Sequence, residues 1–187
     1  MKGSACCRLA LAAACGLAAI AWSAGEQSGP IHVSVRHILN TQPIGPDGLP
    51  HLRKSWTGQT SREYSVEVAL RNVSGRSYPD LKVEYYLFGA NASYYGHALA
   101  TRPSPILLKG TRTVTLAPES GTNFTSEATV ITYTPAHYAE NGYSQGIYEP
   151  ASGVWFAGCG ARVWSGKTLL ASVFDPPQLV YRLDKAR

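Results

Sequence analysis

Along most of this chain apolar and polar residues alternate one for one, the period of a half-buried β-strand. Ile31, Val33 and Val35 alternate with His32, Ser34 and Arg36. Tyr64, Val66, Val68 and Leu70 alternate with Ser65, Glu67, Ala69 and Arg71. Leu81, Val83, Tyr85 and Leu87 alternate with Lys82, Glu84 and Tyr86, which predicts a strand with one buried and one wet face. Phe124, Ser126, Ala128 and Val130 line one side of a strand ending near Tyr133. Trp155, Ala157, Cys159, Ala161 and Val163 share a face. After the turn Trp164-Ser165-Gly166-Lys167, Leu169, Ala171 and Val173 continue it as a hairpin. Val83, Tyr85 and Leu87 are then expected to face the same interior as Ala157, Cys159 and Ala161, large side chains against small ones. Gly158 and Gly160, on the other face, predict a bulge or a close backbone approach.

Other segments are less regular. Residues 106–109 and 112–116 predict either two short strands or one interrupted at Gly110. Residues 72–79 and 117–121 read as turns. Two stretches, 41–60 and 134–152, are long, the first rich in glycine and proline and the second in tyrosine, and the second allows one helical turn at 135–140. Pro176-Pro177 ends the last regular strand, and 179–183 is expected to add a short edge segment. Seven or eight strands without a long amphipathic helix predict an all-β fold, an antiparallel sandwich in preference to a barrel. The strands are unequal, and the long loops are unlike the short turns of an up-and-down barrel.

The first residues follow another pattern. Lys2 and Arg8 precede an apolar run, LALAAACGLAAIAW, of about 14 residues, shorter than the roughly 20 that span a bilayer. Small residues follow, with cleavage after Ser23 or Gly25 fitting best. The expectation is a signal peptide over 1–24, a mature chain starting close to Ala24, and a single β-sandwich domain over 25–187. Export would place it in the periplasm, at the outer-membrane surface or outside the cell. The competing readings are a buried N-terminal helix and a lipoprotein signal ending at Cys15, although the chain stays apolar after that cysteine. Cys6, Cys7 and Cys15 fall in the leader, so Cys159 alone remains and no intrachain disulfide is expected. Its place in an apolar strand favours a buried small hydrophobe over a reactive thiol.

The net charge is +5, falling to about +3 without Lys2 and Arg8, and the basic residues are scattered, which argues against nucleic acid as partner. The histidines show no metal-site spacing, and no nucleophile elbow or phosphate loop occurs. The reading is therefore a protein without catalytic residues, cofactor or metal. Asn72-Val73-Ser74, Asn91-Ala92-Ser93 and Asn123-Phe124-Thr125 fit the N-glycosylation acceptor pattern, which matters only in a eukaryotic secretory pathway. One feature stands above this background. Tyr133, Tyr138, Tyr143, Tyr148 and Trp155 fall within one segment, with Asn141 and Gln145 among them. Aromatic bodies beside polar handles suit sugar or protein recognition, provided that they are exposed instead of plugging the end of the core. Tyr94, Tyr95 and Trp56 form a weaker set of the same kind.

The segments EYSVEVALRNVSGRSYPDLKVEYYLFG and GVWFAGCGARVWSGKTLLASVFDPP resemble the short exported immunoglobulin-like β-sandwich proteins of bacterial envelopes. Those place a strand, Asn-x-Ser, turn, strand unit early and a small-x-Arg-Val-x-x-Gly-Lys-x-x-Ala hairpin late. Here the late element runs from Ala161-Arg162-Val163 through Gly166-Lys167 to Ala171. The resemblance implies a non-catalytic envelope module of the kind associated with adhesion or pili, and it carries over no functional residues. Contact with a protein partner, with strand addition at a sheet edge as its mode, is the leading expectation. The alternative is a carbohydrate-binding module that takes a cell-surface glycan through the Tyr-rich loop 133–155.

Overall fold

The computed structural model describes residues 29–40, 60–92, 105–139 and 147–184. The expected leader over 1–24, Cys15, Trp56, Tyr94, Tyr95 and Tyr143 lie outside these residues. The alternating segments become β1 (Ile31–Asn40), β2 (Thr60–Asn72), β3 (Tyr78–Asn91), β4 (Ile106–Leu116), β5 (Gly121–Thr125) and β6 (Thr129–Thr134). Next come β7 (His137–Ala139), β8 (Ile147–Glu149), β9 (Ser152–Ser165) and β10 (Thr168–Asp175). A 3₁₀ turn at Pro177–Leu179 leads into a single helical turn, α1 (Val180–Asp184). The described chain is thus all-β, and every strand pair is antiparallel.

Two ladders make up the main sheet. In the first, β2 lies between β1 and the pair β5 and β6; the second runs β4-β3-β9-β10. Tyr133 opposite Gly153 and Thr134 opposite Ser152 join the two through β6 and β9. Inward side chains of both ladders merge in one apolar cluster. Ile31, Val33, Val66, Val68 and Leu70 come from the first, and Leu81, Val83, Leu87, Cys159, Ala161 and Val163 from the second. Period-two alternation produces this arrangement, because a one-residue slip would turn Lys82 and Glu84 inward.

The outer face of the second ladder is wet over only half its length, which corrects the expectation of one polar face. Toward one end, Glu84 accepts hydrogen bonds from Lys82 Nζ (2.7 Å), Tyr86 Oη (3.0 Å) and Trp164 Nε1 (3.1 Å). Toward the other, Tyr86, Phe88 and Phe174 form a second apolar cluster covered by Leu179 and Leu183. Residues 179–183 therefore make no edge strand. They form the 3₁₀ turn and α1, because Phe88 and its neighbours give their leucines a surface on which to bury.

The hairpin departs from strict alternation at two places. A register shift between Phe88 and Gly89 opposite β9 coincides with Gly158, whose φ is +148°. Beyond it the faces exchange: Ala157 packs on the outer cluster, contrary to the expected interior position, while Val154 and Phe156 turn toward the main core. A Cβ at Gly158 would collide with the Asp175 carbonyl, Leu179 and Pro176, so glycine is required both for φ and for space. A second shift between Leu169 and Ala171 puts Leu170 on the core side and leaves Leu169 exposed. Gly160 lies beneath the Phe174 ring and Gly110 beneath that of Tyr85. In each case an aromatic ring on the paired strand covers the bare backbone. This cover lets β4 run unbroken through Gly110.

Two further expectations change. The strand expected through Phe124, Ser126, Ala128 and Val130 is two strands, β5 and β6, with Phe124 and Ile131 inward and Val130 exposed. Ser126 causes the break. Its Oγ accepts the Val66 N–H at 2.9 Å, and its own N–H donates to the Val66 carbonyl at 2.8 Å, so a side chain replaces a ladder partner. The helical turn expected at 135–140 is instead β7, paired with β8 through Tyr138 opposite Tyr148.

Candidate functional site: an aromatic cleft where the ladders join

The site forms where β2, β6 and β9 meet. Arg62 and Tyr64 lie two apart on β2 and share a face, as do Ile131 and Tyr133 on β6, and Arg62 stands opposite Ile131 in the register. Tyr64 and Ile131 end the main core; Arg62 and Tyr133 continue the same face beyond it. β9 pairs closely with β6 at Gly153, where φ is +89° and a Cβ would collide with the Thr132 carbonyl. Just beyond that pairing Trp155 stacks on Tyr133 and Phe156 on Tyr64.

The result is two stacked ring pairs. Tyr64 and Phe156 lie 5.0 Å apart between centroids and 6° from parallel. Tyr133 and Trp155 lie 4.7 Å apart and 15° from parallel. His37, at the end of the inner face of β1, touches Phe156 with centroids 4.3 Å apart. Between the pairs lies a cleft of about 310 Å³, lined by Arg62, Tyr64, Tyr133, Pro135, Trp155 and Phe156 above Ile131. The volume falls at the lower end of the usual range for small-molecule sites. Tyr64 is buried, whereas Trp155 remains 39 % exposed and Arg62 and His37 face solvent. Among the described lining residues there is no carboxylate. Ring faces, the Trp155 indole N–H and the Arg62 guanidinium make the chemistry of this cleft stacking and hydrogen-bond donation.

Of the aromatic residues expected to recognise a ligand, the structure brings Tyr133 and Trp155 together at this cleft. Tyr148 is exposed on β8, Tyr138 stands opposite it in the β7–β8 backbone register, and Tyr143 lies outside the described residues. Sequence reasoning missed Arg62, Tyr64, Phe156 and His37. For Arg62 the signal was present, since continuing the alternation of β2 one step back from Tyr64 puts it on the core-side face. Phe156 was hidden by the reversal at Gly158.

Other groups are accounted for by structure. Cys159 is fully buried; burial, with the Asp175 charge adding to it, pushes its thiol up to about 12. Among the described residues no group of three or more His, Cys, Asp or Glu side chains is placed to hold a metal ion, and no helix is long and apolar enough to cross a membrane. No protein-family model matches the chain, and no curated protein does. Among solved structures, an X-ray structure from the Northeast Structural Genomics Consortium (target SoR45) is similar at 14 % identity and a TM-score of 0.33, over 78 % of this chain and 85 % of that one. A β-D-glucoside glucohydrolase from Trichoderma reesei is similar at 13 % identity and a TM-score of 0.31, over 79 % of this chain but 18 % of that longer one. Overlaps this weak assign neither a fold family nor an activity to the chain.

Proposed function

We propose that this chain is a non-catalytic, exported module of immunoglobulin-like β-sandwich architecture that works at the cell envelope by binding a saccharide in the aromatic cleft. Two antiparallel ladders around one core, without a disulfide at Cys159, support the architecture. The observation that carries the function is the Tyr133–Trp155 stack, with Trp155 39 % exposed, beside a cleft whose described lining offers donors and no carboxylate. A flat ring with apolar C–H faces and equatorial hydroxyls matches such a surface, because the aromatic face takes the ring and the donors take the hydroxyls. Glycan-array binding of the wild type, compared with Trp155→Ala and Tyr133→Ala, tests this. Retention of glycans by the wild type and loss in both variants, with unchanged melting, is the expected result. Equal binding by all three proteins would defeat it.

One observation favours protein contact as a second reading. Among the described residues no strand pairs with the outer edge of β4, an eleven-residue strand carrying Lys109 and Arg112. An extended partner segment adds to such an edge through main-chain hydrogen bonds. Cross-linking of a captured partner to β4, with no glycan retained, would select this reading.

A further inference from the structure

We infer that the saccharide taken by the cleft carries a carboxylate, and that Arg62 is the residue that receives it. The inference rests on the cleft being the binding surface, and it concerns which ligands that surface selects. Arg62 is exposed and lines the cleft, on the face that Tyr64 continues into the core. Among the described residues no carboxylate is paired with Arg62: Glu67 is engaged by Arg36 and Glu84 by Lys82. The adjacent carboxylate, Glu63, is turned to the opposite face, beside Val130, which is 65 % exposed there. No acidic side chain among the described residues lines the cleft, and the exposed His37 ring rests against Phe156 of its wall. A guanidinium meets a carboxylate with two parallel N–H···O bonds, a geometry that a neutral sugar cannot return.

The Tyr133–Trp155 stack sets the class of molecule. Trp155, stacked on Tyr133 and 39 % exposed, lines the same cleft as Arg62, and this pairing of an aromatic ring with a guanidinium suits a uronate or sialate: an apolar ring face with a carboxylate at its margin. An acidic peptide shares the charge but has no rigid flat ring to stack.

Tetragalacturonate and sialyllactose, each paired with its own methyl ester, form the test set, together with a Glu-rich peptide. Titrations of the full chain are followed by calorimetry and by tryptophan fluorescence. At least one acid is expected to bind about tenfold more tightly than its ester, with the advantage shrinking as salt is raised through about 0.1 M, where screening reaches roughly 10 Å. Arg62→Gln is expected to remove the preference, so that acid and ester bind this variant equally and the acid loses about the tenfold advantage that it has in the wild type. Trp155→Ala is expected to abolish both. Equal binding of acid and ester by the wild type, with both lost in Trp155→Ala, would overturn the acidic preference and leave the cleft reading standing. Binding that survives Trp155→Ala would overturn the cleft reading itself. Binding of the peptide alone, or of nothing in the set, would overturn the inference.

Discussion

Asn72 shows how a single side chain ties distant turns together. It is fully buried, and its amide is used at both ends. Nδ2 donates to the Arg76 carbonyl at 2.6 Å and the Ala117 carbonyl at 2.8 Å, while Oδ1 accepts from the Ser74 N–H at 3.0 Å and the Ser74 hydroxyl at 2.8 Å. The Asn-x-Ser pattern read as a glycosylation acceptor is, at Asn72, a buried pin between the β2–β3 and β4–β5 turns. Asn72→Ala removes all four of these hydrogen bonds and should cost roughly 3 kcal/mol in a denaturant titration. Asn72→Asp keeps the shape but loses the donor, and it should be destabilised as well. Glu84 offers a pH test. Burial alone would raise its carboxyl, but hydrogen bonds from Lys82, Tyr86 and Trp164, with the Lys82 charge, hold it below the ordinary carboxylate range. Its contribution to stability is therefore present above the unfolded carboxylate pKa and is lost as pH falls through the lower, folded value. Melting temperature of the wild type should drop over that acidic window more steeply than that of Glu84→Gln. Cys159, with its thiol pushed up to about 12, should resist maleimide at neutral pH until the protein unfolds.

At the scale of elements, the two faces of β3 make a direct test of the alternation. Leu87→Ala should cost about 2–5 kcal/mol, as core truncations do. Lys82→Ala, which removes an exposed contact to Glu84, should cost less than about 0.5 kcal/mol by the same denaturant titration. Gly158→Ala should be among the most damaging changes in β9, since both its φ and its neighbours exclude a side chain. The strands were legible in the sequence because each buries residues of one parity for several steps, as β1, β2 and β3 do. Gly158 and Gly160 were legible as special backbone, and the Gly166 turn as a hairpin. What was not legible depends on partners far along the chain. The Ser126 hydroxyl breaks a strand only because Val66 lies beside it, and 179–183 becomes helical only because Phe88 and Phe174 leave an apolar surface to cover. Ala157 and Leu169 were assigned to the wrong face because a bulge changes parity without changing composition.

For the whole molecule, the candidate site follows the same division. Tyr133 and Trp155 stood out by composition, but their stacking needed the pairing of β9 with β6, and Arg62 needed the register of β2 with β6. The cleft lies where the two ladders join and the main core ends, so core-facing alternation and ligand-facing alternation are one pattern read further along each strand. Tyr64 and Phe156 belong to both, which ties the shape of the cleft to the packing beneath it. Phe156→Leu is accordingly expected to weaken ligand binding more than it lowers stability.

The order in which the chain is synthesised gives the outer aromatic cluster a different meaning. Tyr86, Phe88 and Phe174 are in place as soon as β3, β9 and β10 have paired, whereas Leu179 and Leu183 leave the ribosome after all of them. A nascent chain halted at Pro176 would already hold its main core and yet show a sticky patch of three aromatic rings. Residues 177–184 thus act as a cover: chains that carry them hide the patch, and chains cut before them expose it. A variant ending at Pro176 should fold its sheet, bind the dye ANS and self-associate, whereas the full chain should do neither of the last two.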